Sequence, residues 1–482
     1  MKIVKIFAIT IFASVVFGTA CSESRLDEKP IDQFQTEDAI HSEGDMRAVL
    51  NGVYDQYSSS SAFGADILIF GDLISDNVFI SAQPSDVAYK DTGFLNWSAD
   101  ISNFGMINPL YNGIGLANMV INNNALPETE TVANYKGEAH IARAVGYFYL
   151  VSFYSPNPTS GVNQEFGVPL NLGDYDPTIK APRATVAEVY TQIIDDLTKG
   201  IKMMTNEVPT DKGYLSPTAA RLLLSRVYLT RGQAGDYQKA IEYADQAINL
   251  GAGAGYSSVD KTMYVKYFNS TDVAVSENQP ETVWEINMNN TPSENLGIND
   301  SMGSLYAYNG KHKRFMFTEN FRQSFADGDV RKSLFTTLLA PAEDKPKGVW
   351  GMKYITTTSE GPFTQNIKVF RLSEAYLNKI EALTKLGNTT EALKELNDFA
   401  ASRNGSTYTS ASIENVLTER RKEFFGEGQR FFDLKRNNMG FSKDSNCYSV
   451  VCEVAGDSKL FVIPMPTREL YLNPNMTQYP GW

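Results

Sequence analysis

Apolar positions recur at helical spacing over most of the chain. In "YKGEAHIARAVGYFYLVSFY", Ala139, Ala142, Val145, Phe148 and Leu150 follow one another at steps of three, three, three and two, which predicts an amphipathic helix ended by Pro156 and Pro158. "ATVAEVYTQIIDDLTKGIKMM" lines up Val186, Val189, Ile193, Leu197 and Ile201 on one stripe. "SPTAARLLLSRVYLTRG" and "DYQKAIEYADQAINLG" then form a pair, with Ser216-Pro217 opening the first helix, Gly232 breaking it and Asp236 capping the second. A later pair, from Leu372 to Asn404, repeats the design around Gly387, with Ala240 and Ala392 small where the second helix crosses the first. The plan is tetratricopeptide-like, and four such hairpins, not contiguous, are expected.

Two regions break the period. From residue 251 to 370, and again from 75 to 108, the chain turns rich in Asn, Gly, Ser, Thr and aromatics. Inserts of that length in a compact body are functional or disordered, and their aromatic content argues for order. The fold class is therefore all-α in the main, with a loop-rich face carrying minor short strands.

The N-terminus reads differently. Lys2 and Lys5 precede the apolar run Ile6 to Phe17, whose twelve residues span about 18 Å as a helix, too short to cross a bilayer. With Gly18, Thr19 and Ala20 following, residues 1–20 have the shape of a secretory signal peptide. Cys21 directly after the small residues resembles a bacterial lipobox, with Gly18 standing where Leu is usual, and is the expected lipid anchor. Residues 21–35 are expected to be an acidic tether, leaving 36–482 as one domain.

The formal net charge of −13 repels phosphate backbones and argues against nucleic-acid binding. Cys447 and Cys452 form either a local disulfide or two buried thiols, a choice their spacing does not settle. His41, His140 and His312 are scattered, so no zinc pattern exists, and no cofactor or metal is expected. Neither a P-loop nor G-x-S-x-G nor H-E-x-x-H is present. Acidic pairs such as Asp195-Asp196 and Asp327 with Asp329 exist, but adjacency in sequence does not place two carboxylates across a cleft. An enzyme is not the expected reading.

Aromatic side chains in loops, off any helical stripe and flanked by amides and hydroxyls, are candidate contacts for a polar ligand. The candidates in the inserts are Asn96 with Trp97, Tyr306 with Tyr308 and Asn309, and Trp350 with Tyr354. Trp284, in the alternating "ETVWEINM", is assigned to the core. In "ERRKEFFGEGQRFFDLKR" acids and arginines interleave at helical spacing, which favours internal ion pairs over an exposed cationic patch.

Several of these segments together resemble the RagB/SusD family of nutrient-binding outer membrane lipoproteins of Bacteroidetes. They are "LDEKP" (Leu26 to Pro30), "SDN" (Ser75 to Asn77), "ANMVI" (Ala117 to Ile121), and the helix carrying Glu138, Ala139, Arg143, Ala144, Tyr147 and Phe148 with "GVPL" after it. The series continues with Glu419, Arg420, Arg421, Glu423, Glu427, Gly428, Arg430, Asp433 and Leu434, and closes on "LFVIPMPTRELYLNPNMTQYPGW". Asn108 stands where many members carry Trp. The resemblance implies a surface-exposed, lipid-anchored position on the outer membrane. It implies a SusC-like TonB-dependent transporter as partner and non-catalytic capture of an oligosaccharide or polysaccharide. A scaffold that mainly grips the transporter, or a protein that captures a non-glycan nutrient, is the alternative.

Overall fold

In the computed structural model, residues 39–80, 89–100, 104–288, 297–337, 348–443 and 451–482 are described. The signal segment 1–20, Cys21, the tether 21–35 and Cys447 lie outside them. Helices dominate. The first are α1 (Glu43–Ser58), α2 (Asp66–Leu73), α3 (Ile107–Asn122), α4 (Glu130–Tyr154) and α5 (Val186–Met203). After them come α6 (Pro217–Arg231), α7 (Asp236–Gly253), α8 (Leu372–Lys385), α9 (Thr389–Ser402), α10 (Ile413–Phe424) and α11 (Arg430–Arg436).

Four antiparallel pairs follow from these: α1 with α3, α4 with α5, α6 with α7, and α8 with α9. Local chemistry sets their ends. Thr185 and Glu188 form a reciprocal capping box on α5, and Ser216 caps α6 ahead of Pro217. Gly232 ends α6 at φ +60°, a left-handed conformation suited to glycine. Asp236, expected as a cap, is instead the first helical residue of α7; its carboxylate accepts from the Gln233 amide and pairs with Arg231. Ala240 and Ala392 are fully buried in a small core shared with Leu229, Leu377 and Leu396, where the two later pairs meet.

The long insert contributes strands. β1 (Val78–Ile80) pairs antiparallel with β3 (Phe315–Thr318), which pairs with β4 (Gly348–Val349). β2 (Thr282–Ile286) pairs antiparallel with β5 (Ile367–Arg371), and Trp284, opposite Phe370, is fully buried as expected. Cys452 is exposed and disulfide-bonded, so it is not a buried thiol.

What joins the looped face to the helical pairs is a buried lattice of charge centred on α10. Glu423 accepts from Arg371 at 3.1 Å, Arg403 at 3.2 Å and Arg331 at 3.3 Å, all out of contact with solvent. Arg331 also forks onto Asp329 and reaches Glu419 at 2.7 Å, while Arg371 holds Glu281 and Glu427. Arg420 bonds Asp433, Asn378 and Gln429, and Arg436 clasps Glu381. Burial alone pushes Glu423 upward, but the surrounding arginines outweigh it and hold the carboxyl well below the usual range. The interleaved acids and arginines of 419–436 are therefore internal pairs.

Candidate functional site

The aromatic candidates divide by depth. Trp97, Tyr306 and Tyr354 are buried, so the expectation that their faces meet a ligand is corrected: their rings pack under the loops. One aromatic run connects them. Trp97 lies 5.5 Å from Phe104, Phe104 4.8 Å from Phe70, and Phe70 5.9 Å from Tyr89. Tyr89 is 5.4 Å from Phe315, which is 5.0 Å from Tyr306, itself 5.5 Å from Tyr354. Edge and tilted contacts of this kind bury large area and fix ring orientation, so the run acts as a spine for the overlying loops. Its two ends differ: Tyr354 donates to the Gly426 carbonyl at 2.8 Å, while Trp97 packs on Trp482 with its indole N–H unpaired among the described residues.

Above the spine stands a closed loop. Ser301 caps the short helix Met302–Tyr306, and the amides of His312 and Lys313 both donate back to the Ser304 carbonyl at 3.2 Å. Arg314 N donates to Leu305 O at 2.7 Å and Gly310 N to Ala307 O at 2.8 Å, so Tyr308 and Asn309 occupy the tip of a hydrogen-bonded turn. A β-carbon on Gly303 would sit 2.2 Å from the Ile355 carbonyl oxygen, which shows how closely this helix rests on the 350s segment. Asn309 Nδ2 donates to Thr356 Oγ1 at 3.3 Å.

The tip is where this neighbourhood meets solvent. Tyr308 is 48% exposed, Asn309 is exposed beside it, and the His312 ring contacts Asn299 Oδ1 at 3.2 Å. Trp350 follows β4 and is half-buried; its backbone amide donates to Thr336 Oγ1 at 3.0 Å, and its indole N–H has no partner among the described residues. Asn96 is exposed, but it belongs with Trp97 at the opposite end of the spine. The structure thus gathers Tyr306, Tyr308, Asn309 and Tyr354 into one neighbourhood and leaves Asn96 and Trp97 in another.

Each acid of the sequence-level carboxylate pairs is engaged separately. Asp196 is buried against His140 and Arg143, Asp195 pairs with Lys199, Asp329 with Arg331 and Asp327 with Lys332. Among the described residues, no cluster of three or more His, Cys, Asp or Glu side chains is arranged to hold a metal ion. A concavity that the sequence reading passed over, about 860 Å³, lies between α3, residues 169–181 and the C-terminal segment 469–476. Its sequence signal was the aromatic Tyr175 set between two aspartates in a Gly- and Pro-bearing loop.

Two family models match the chain, the SusD family over residues 299–482 and a model described as "Starch-binding associating with outer membrane" over residues 25–229. The chain belongs to the SusD/RagB family. It is 24% identical over 540 residues to SusD-like protein P38 of Formosa agariphila, covering 99% of both chains. A solved putative sugar binding protein from Bacteroides vulgatus superposes with a TM-score of 0.81 at 29% identity, covering 92% of this chain and 99% of that one. A SusD superfamily protein from the same organism gives 0.82 at 29%, covering 92% and 100%. The descriptions support carbohydrate binding and outer membrane association at the level of the family.

Proposed function

We propose that this chain captures an oligosaccharide at the cell surface, without turnover, and delivers it to a SusC-like TonB-dependent transporter. The observation that carries the reading is the Tyr308 ring, half-exposed at the tip of a turn closed by backbone hydrogen bonds, with the Asn309 amide beside it. A fixed aromatic face next to an amide offers stacking to the C–H surface of a pyranose and a hydrogen-bonding pair to its hydroxyls. Rigidity of the tip reduces the ordering cost of binding. Family membership supports the transporter partnership, and the Cys21 pattern supports a lipid anchor. With two or more acyl chains, such an anchor holds a protein stably at a membrane.

Calorimetry over a panel of host and plant oligosaccharides tests the reading. Binding of at least one member that Tyr308→Ala weakens is expected; binding of a peptide with no glycan bound would overturn it. Mass spectrometry of the mature protein is expected to show an acylated Cys21.

A further inference from the structure

The concavity beside α3 is walled by a segment held in place from several directions. Asn118 Nδ2 donates to the carbonyls of Asn171 and Gly173, each at 2.9 Å, and Arg143 orients that amide by donating to Asn118 Oδ1 at 2.8 Å. Tyr147 both donates to the Asn171 carbonyl at 2.8 Å and accepts from the Asn171 amide at 2.7 Å. Tyr111 holds the Pro169 carbonyl at 2.9 Å, while Asn473 and Asn475 hold those of Ala181 and Lys180. So many side chains spent on the carbonyls of one loop leave it little freedom.

Between these two pinned ends the Tyr175 ring is 75% exposed, and Ile179 beyond it 65%. Opposite, α3 presents Asn108, whose side-chain amide has no partner among the described residues, and Asn112, which spends one N–H on Gln56 at 3.1 Å and keeps its carbonyl oxygen open. Asp174, Asp176, Lys180 and Glu469 bring both signs of charge to the lining, so no single-sign field selects an ion. The volume lies within the roughly 300–1,000 Å³ of small-molecule sites.

From this geometry we infer that the α3 cleft is a second carbohydrate-binding site, separate from the Tyr308 tip, taking a short neutral oligosaccharide stacked on Tyr175 and hydrogen-bonded by Asn108 and Asn112. The inference rests on the proposed oligosaccharide reading for its ligand class and on the cleft alone for its position. An apolar partner would leave the open amides of α3 desolvated and unpaired, whereas sugar hydroxyls both donate to and accept from them. A strongly anionic ligand is disfavoured by the net charge of −13.

The test uses the mature chain titrated calorimetrically with maltoheptaose, laminarihexaose, cellohexaose and xylohexaose, comparing wild type, Tyr175→Ala, Asn112→Ala and Tyr308→Ala. For an oligosaccharide that binds, two sites per chain are expected. Tyr175→Ala is expected to remove one, or weaken it by about tenfold, the loss of one stacking contact. Tyr308→Ala should act on the other. Asn112→Ala, an exposed position, guards against a folding effect of Tyr175→Ala by weakening the same site. One site removed by Tyr308→Ala and untouched by Tyr175→Ala overturns the cleft and leaves the tip standing. One site removed by Tyr175→Ala and untouched by Tyr308→Ala supports the cleft and overturns the tip. No binding of any of the four oligosaccharides, or retention of the transporter complex by wild type and its loss in Tyr175→Ala with glycan binding unchanged, overturns the cleft proposal.

Discussion

Gly71 of α2 and Gly428 touch backbone to backbone: a β-carbon added to Gly71 would lie 1.8 Å from the Gly428 carbonyl oxygen. Gly428 itself has φ +72°, and a β-carbon there would meet Leu68 at 2.5 Å. Neither side has a flexible group to move aside, so Gly71→Ala should destabilise by about 3 kcal/mol or more. Gly115→Ala, in α3 with open space around it, should be neutral or stabilising by up to about 1 kcal/mol. Urea unfolding of the two variants checks the contrast, and an unchanged midpoint for Gly71→Ala would refute the contact.

Removal of Glu423 leaves Arg331, Arg371 and Arg403 facing one another without solvent. Breaking a buried pair in this way costs about 3–5 kcal/mol. Asp398→Ala, which removes an exposed i,i+4 pair with Lys394, should change stability by no more than about 0.5 kcal/mol. Equal effects in guanidinium unfolding would contradict the buried lattice.

Tyr306 and Tyr308, two residues apart, should answer differently to alanine. Tyr306→Ala opens a void against Phe315 and Tyr354 and should cost about 3–5 kcal/mol. Tyr308→Ala should stay within about 0.5 kcal/mol of wild type in stability. Its deficit should show in glycan affinity, about tenfold for a lost stacking face. Paired thermal melts and calorimetry separate the two roles.

Two buried carboxyls shape the pH dependence. Burial pushes both Asp66 and Asp72 up to about 7, against an ordinary value of 3.8. Between those values the folded chain keeps protons that the unfolded chain has released. Their contribution is thus fully present below about pH 4 and is lost as pH rises towards 7. Glu423, also buried, and Asp76, half-buried, are held low by arginines and act in the opposite sense, and their contribution is lost only as pH falls below the ordinary carboxylate range. Asp66→Asn and Asp72→Asn, neutral at every pH, should therefore lose more of their disadvantage, relative to wild type, at pH 7 than at pH 4.5. Denaturant curves at pH 4.5, 6 and 7.5 that run parallel to wild type would count against it.

The helical pairs were legible because their signal is local: the stripe on α5, the Ser216-Pro217 start and the Gly232 stop each lie within one or two turns of what they specify, whereas α4, read as amphipathic, is buried on every side from Lys136 to Tyr154. The pairing of Glu419 to Arg436 was legible in kind, as internal ion pairs, but not in partner, because Arg331 in the insert and Arg371 at its far edge lie some fifty to ninety residues away. The site was less readable. Tyr306 and Tyr308 have the same composition around them, and only tertiary packing turns one ring inward onto Phe315 and leaves the other at the tip. Trp97 failed as a surface candidate for a similar reason: its cover includes Trp482, from the far end of the chain.

That last dependence has a counterpart at Asp76, which is held by Arg421 at 3.2 Å and by Arg430 at 2.7 Å. Asn77 likewise accepts from Arg421, and the Asp72 carboxylate receives the Gly428 amide. The charge of Asp76 is thus answered by residues 345 and 354 positions further along the chain. A chain cut short before α10 lacks both arginines that hold Asp76, so the corner between α2 and β1 is completed only by the last sixth of the chain.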